Sequence, residues 1–376
     1  MKCLTLMITA TLGLMSSPLL ADQPRQECLG RHVFDVHEAM QWATYDAGRV
    51  YRISTGGGHN FTAKVTAKGD NATYGERGDI IYVSDIVERS EFEAAVNYQI
   101  GTGRLNQKRI LENIEIKKFR LSKLPSQGYG PDVIQQLEDE IAEQEALVPL
   151  AIPTVHDLGI PDAYFLGGRV DPMYGYLYRN QRVYFIVAYR PLGQGKQAFQ
   201  DLISRFQPRE LYEVPQGNGI CIPYGFIADD GKTPYSIKNS LRFTQTPNVV
   251  FTLLTASASD PRHTSSTSGL YDTDFRPGYD SDKWTWREYV QPSWLGRHKT
   301  NLLGWTLEPK PDSGEQARAW FGFAEHGGLL SPRLAVHMLT FEQGVDDLSE
   351  HTPPMDRVLP RWEALAKTLL LRGEQP

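Results

Sequence analysis

Local catalytic signatures are what this chain of 376 residues lacks most plainly. It holds no G-x-S-x-G nucleophile elbow, no H-E-x-x-H, no P-loop and no EF-hand loop. Their absence excludes the α/β-hydrolases, zincins and P-loop nucleotide hydrolases that those motifs announce. The nine histidines are scattered, and none stands with carboxylates at metal-ligand spacing. Asp272–Asp282 is aspartate-rich but lacks the regular oxygen spacing and closing Glu of a calcium loop. No metal and no cofactor are expected. Paired carboxylates distant in the chain leave no local spacing, so a hydrolase of that kind stays open as an alternative.

Long apolar runs are equally scarce. The one candidate, Leu4–Leu20, follows Lys2, is interrupted by hydroxyl residues and ends before Ala21-Asp22. This is the pattern of a secretory signal peptide cleaved near Ala21, which implies export to the periplasm. No later stretch is long enough to span a bilayer. Cysteine is nearly absent as well: Cys3 falls in the signal, leaving Cys28 and Cys221. In an oxidising compartment such a pair reads as a disulfide before a metal site, with two buried thiols as the alternative. A net charge of −6 argues against nucleic acid or an anionic membrane as partner.

What is present is organised in two halves. The mature length of roughly 355 residues predicts two domains. The phrase CLGRHVFDV begins at Cys28 and CIPYGFIAD at Cys221. Each is followed by an Arg, β-former, Ser/Thr phrase, a turn and a strand. The expectation is an α+β protein of two related units, each an antiparallel sheet packed with helices. The signal covers residues 1–21, the N-terminal domain 22–207, the linker 208–218 and the C-terminal domain 219–376. Within them, Gly175–Pro191 reads as a hairpin around Arg179-Asn180-Gln181. Gly195–Gln207, Asp132–Val148 and Met355–Arg372 read as helices, the second with an acidic outer face. Gln316–Glu325 and Arg333–Phe341 read as strands. The glycine-rich Ser54–Phe61 reads as a turn, and Ser257–Lys299 as a long irregular stretch, polar yet rich in tryptophan.

These phrases carry a resemblance. Cys28-Leu29-Gly30-Arg31 soon after a signal peptide, and Cys221, Pro223, Gly225 and Phe226 opening the second half, resemble the two-domain periplasmic immunity proteins that guard bacteria against type VI secreted phospholipase effectors. The resemblance implies a protein that is not an enzyme and that binds a cognate secreted lipase, alone or one to one. Its two domains would grip the lipase like a claw and hold its lid region closed, protecting producer and sibling cells. An envelope ligand-binding module is the other alternative. A tight inhibitor needs aromatic and arginine anchors. Arg276, Tyr279, Trp284, Trp286, Arg287 and Tyr289 are the candidates, while Trp294 and Trp305 are expected in the core.

Overall fold

The computed structural model describes residues 24–45, 71–167, 173–189, 192–257, 281–323, 332–341, 343–344 and 354–373. The signal peptide, the Ser54–Phe61 turn and the candidate anchors Arg276 and Tyr279 lie outside these residues. The fold is α+β, built on antiparallel sheet. A 13-stranded sheet is the backbone of the molecule.

One end of that sheet is β6 (Thr154–Asp157), followed in space by β7 (Ala163–Gly167), β8 (Met173–Arg179), β9 (Arg182–Ala188), β5 (Asp79–Val83) and β4 (Asn71–Tyr74). Next come β13 (Tyr235–Phe243), β14 (Val249–Ala256), β18 (Arg333–Thr340), β17 (Arg318–Phe323), β16 (His298–Pro309) and β15 (Trp284–Leu295), with β3 (Met40–Trp42) also paired to β13. Strands from both expected units thus share one sheet, joined where β13 pairs β4 and β3. The central β14, VVFTLLTA, is buried at every position, which explains its mostly apolar run, with the Thr252 and Thr255 hydroxyls bonded to Ser240 and Tyr235. The β8–β9 turn places Asn180 and Gln181 at φ 47° and 57°. That is the left-handed pair of a tight hairpin whose twist matches its strands.

Four helices attach to this sheet among the described residues: α1 (Arg89–Lys123), α2 (Pro131–Leu147), α3 (Leu192–Arg205) and α4 (Met355–Lys367). The helix α1 starts at a reciprocal Glu88–Glu91 capping box, and Pro131 opens α2 where its missing N–H costs nothing. The base of α1 buries Phe92, Ala95 and Val96 against the sheet. Its distal half packs on α2 through a separate small core of Ile114, Leu124, Leu137 and Ile141. At about 1.5 Å per residue the 35 residues of α1 extend roughly 50 Å. The pair therefore forms an arm. At the other end, α4 lays Trp362 against Phe321 and Phe323 of β17.

The two cysteine phrases meet. Two small sheets carry them: β1 (Arg25–Leu29) with β2 (His32–Val36) and β19 (Leu370–Leu371), and β10 (Phe206–Pro208) with β12 (Gly225–Ala228) and β11 (Gly219–Ile222). A Cys28–Cys221 disulfide joins them, with Cα atoms 5.8 Å apart. Gly30 and Cys221 exchange backbone hydrogen bonds of 2.7 and 2.8 Å beside it. Gly30 needs its missing Cβ twice over: its φ is +58°, and a Cβ would lie 2.5 Å from the Thr255 methyl. Arg209, inside the expected linker, is buried and pairs at 2.6 Å with buried Glu27. It also donates to the carbonyls of Cys28 and Ile222. The linker is thus stapled to both cysteine strands.

Candidate partner-binding surface

The alternation of β15 decides which of its residues can meet a partner. In a strand, alternate side chains share a face. Tyr289 and Ser293 point toward the face covered by α4: Tyr289 packs edge-on against Phe321 at 5.4 Å and donates to Gln291 Oε1. Gln291 in turn reaches Glu363 of α4 at 2.7 Å. Trp284, Trp286, Glu288, Val290, Pro292 and Trp294 occupy the opposite face.

That opposite face is closed at one end and open at the other. Trp284 is buried, donates its indole N–H to the Gln316 carbonyl at 3.1 Å and lies 4.9 Å from the Arg318 guanidinium. Trp286 is half-buried and meets Trp305 edge-on at 5.6 Å. Trp305 lies 4.8 Å from Trp320, which lies 5.7 Å from His337. An aromatic ladder therefore crosses four strands and braces the hairpin. Burial pushes His337 down to about 3, so the ring under this ladder is neutral. Beyond the ladder, Val290 is 61% exposed and Trp294 47% exposed. Their cross-strand neighbours are Leu303 and Lys299. Arg287, on the covered face but near its rim, is exposed and pairs with Glu308 at 3.1 Å.

The structure thus brings Trp284, Trp286, Arg287 and Tyr289 onto one strand, but it spends Trp284 on the core. Trp305 is buried as expected; Trp294 is not, which corrects its expected place. The missed signal was the alternation itself: Val290 and Trp294 share parity with Trp284, but toward the C-terminal end of β15 α4 covers only the other face. The expected irregular stretch is also corrected from Trp284 onward, where it is a regular twelve-residue strand. Among the described residues β15 pairs only with β16, so it is a sheet edge. Pro292 interrupts its free N–H row, which discourages simple strand addition. Recognition here would run through the side chains of the open face.

Little in the described residues is arranged for chemistry. No three His, Cys, Asp or Glu side chains among them come together as a metal site. Of the buried carboxylates, Glu27 and Asp229 each face an arginine, Arg209 and Arg31, at 2.6 and 2.9 Å.

Val290 and Trp294 leave an apolar patch open on a braced sheet edge, a candidate interface core. Residues 213–270 match the family described as Tle cognate immunity protein 4 C-terminal domain. No curated protein shows a significant sequence match to the chain. Two solved structures are similar over nearly the whole length. One is the apo structure of immunity protein TplEi of the type VI secretion system (T6SS) from Pseudomonas aeruginosa, at 13% identity and a TM-score of 0.50, covering 94% of this chain and 98% of that one. The other is a chain of the Tle4–Tli4 complex, at 14% identity and a TM-score of 0.50, covering 94% and 99%. At this identity they share the fold.

Proposed function

We propose that the protein is a periplasmic immunity protein that binds and inhibits a cognate type VI secreted lipase, and that it has no catalytic activity of its own. The observation that carries this reading is the match of residues 213–270 to the Tle cognate immunity domain. The fold shared with TplEi and with the Tle4–Tli4 complex supports it. The signal-peptide pattern before Asp22 supplies the export that a periplasmic antidote requires.

Inhibition needs only differential binding. A binder that holds the closed lipase more tightly than the open one shifts the population toward the closed state by that difference. Trp294 and Val290 are the proposed anchors, with Glu288 and Lys299 as a polar rim. Trp286 and Tyr289 hold the strand under them.

The test is to mix the mature chain with candidate type VI secreted lipases and measure esterase activity and complex mass. Stoichiometric loss of activity in a one-to-one complex is expected. Unchanged lipase activity at excess inhibitor, or hydrolysis by the chain itself that a point substitution abolishes, would overturn the proposal. A second reading, an envelope ligand-binding module, has one observation behind it. A cavity of about 860 Å³ beside the disulfide is lined by Arg31, Lys232 and Arg372 among others. A small anionic ligand that binds without any effect on the lipase would favour that reading.

A further inference from the structure

The net charge of −6 is an average over a segregated molecule. In the arm, α2 carries Asp132, Glu138, Asp139, Glu140, Glu143 and Glu145 and no cation. Over its distal half α1 is dominated by Lys and Arg. Part of this charge is spent between the helices, in Lys117–Glu140 and Lys118–Glu145 pairs of 2.8 and 2.7 Å. The rest points elsewhere.

A helix advances about 100° per residue, which sorts α1 into two apolar faces. Phe92, Val96, Gly103, Ile110 and Ile114 lie on one face, against the sheet and α2. Leu105, Ile116 and Phe119 fall within about 60° of one another on the opposite side. They are 63%, 66% and 67% exposed, values that a long apolar side chain reaches only on an uncovered surface. Lys108, Arg109, Arg120 and Lys123 flank them, all exposed, against two carboxylates, Glu112 and Glu115. Lys108 pairs with Glu112 at 3.7 Å. Arg109, Arg120 and Lys123 enter no ion pair among the described residues, and Lys123 Nζ sits 5.4 Å from the Phe119 ring centre. The surface is an apolar stripe bordered by cations with long, flexible stems, of which Arg120 also feels Glu140 of α2.

We propose that this outward face of α1 seats the arm on an anionic phospholipid surface, with Leu105, Ile116 and Phe119 entering the headgroup boundary and Arg109, Arg120 and Lys123 meeting lipid phosphates. Charge complementarity selects this occupant. Basic side chains flanking an apolar stripe are the composition of a helix that lies in a bilayer interface, where the stems reach outward to the headgroups. No helix among the described residues is long and apolar enough to cross a bilayer. The contact is peripheral and reversible. It would concentrate the protein on the surface that a secreted lipase attacks, but it stands apart from the inhibition reading, because it requires only lipid.

The experiment uses the mature chain and no lipase. Co-sedimentation is measured with vesicles of phosphatidylcholine alone and with vesicles containing about one third phosphatidylglycerol, at low and high salt. Each surface cation contributes roughly fivefold to partitioning. The chain is expected on the anionic vesicles only, and released by salt. Arg120→Glu with Lys123→Glu should lower partitioning more than tenfold, and Ile116→Ser with Phe119→Ser should lower it comparably. These positions are exposed, so the variants should keep the parent's circular dichroism and melting temperature. Absence of binding to anionic vesicles overturns the proposal. So does equal binding by the parent and both folded variants. If, in a separate assay with the lipase, variants that bind vesicles normally lose inhibition, the face belongs to a protein partner instead.

Discussion

Trp284 and Trp294 are ten residues apart on the same face of one strand and have opposite roles. Trp284 is closed in by Arg318 and the Gln316 carbonyl, whereas Trp294 stands half in solvent. Truncating Trp284 to Ala removes a buried indole and should cost about 3–5 kcal/mol, seen as a lower melting temperature. Truncating Trp294 to Ala should leave melting nearly unchanged and weaken lipase binding by roughly 2 kcal/mol, as for an interface anchor. Equal affinity of the Trp294 variant and the parent would remove this patch from the interface.

Two buried histidines set the pH response at the same scale. Burial pushes His32 down to about 4 and His337 down to about 3, from a usual value near 6.5. The folded protein keeps both rings neutral, with His32 hydrogen-bonded to Thr255 at 2.7 Å. The unfolded chain takes up protons below about 6.5. Their contribution is therefore complete above about 6.5. It is lost as pH falls toward about 4 and 3, by up to roughly 1.4 kcal/mol per pH unit for each ring. Urea unfolding at pH 7 and pH 5 should show this loss, and the pair His32→Asn with His337→Gln should flatten it. An equally steep pH dependence in the variant would place the effect elsewhere.

Elements differ in how plainly the sequence announces them. The β8–β9 hairpin and α2 lie where turn chemistry and a single apolar stripe place them. The strands β17 and β18 and the helix α4 do too, though α4 ends at Lys367 and the chain returns as β19. The longest helix, α1, was not legible. Its apolar residues lie on two opposite faces, so they form no single stripe, and its charged exterior resembles a solvated segment. Its seating also depends on a contact remote in sequence. A Cβ on Gly103 would fall 2.5 Å from the Pro153 ring and 2.8 Å from the Ala151 carbonyl. Gly103→Ala should therefore lift the arm from its base, at a cost of about 1–3 kcal/mol. Limited proteolysis would report it as faster cleavage within Arg89–Leu147, ahead of any global change. Unchanged cleavage would show that the base gives way without effect.

At the scale of the whole molecule, one bridge closes a separation of 193 residues. In the loop-entropy account, closing a loop of that size stabilises by about 5 kcal/mol, less any strain. Reduction should lower the melting temperature by many degrees, and alkylation before reduction should leave both cysteines unlabelled in an intact-mass measurement. Labelling of both without reduction would mean free thiols. The bridge lies beside the buried Glu27–Arg209 pair, so its loss should loosen the linker as well as both small sheets.

The sequence by itself determined the α+β class, the β8–β9 hairpin, β17, β18 and α4, and it offered the two echoing cysteine phrases as a pair. These rest on local patterns: side-chain periodicity and turn residues. Only the tertiary structure decided that β13 joins both halves in one sheet, that α1 and α2 form an arm, and which tryptophans are core. The reason is coverage. A strand shows which residues share a face but not which face α4 will cover, and a helix with two apolar faces does not say which one its neighbours will take. Val290 and Trp294, and likewise Ile116 and Phe119, are exposed because the elements that could have buried them pack on the other side.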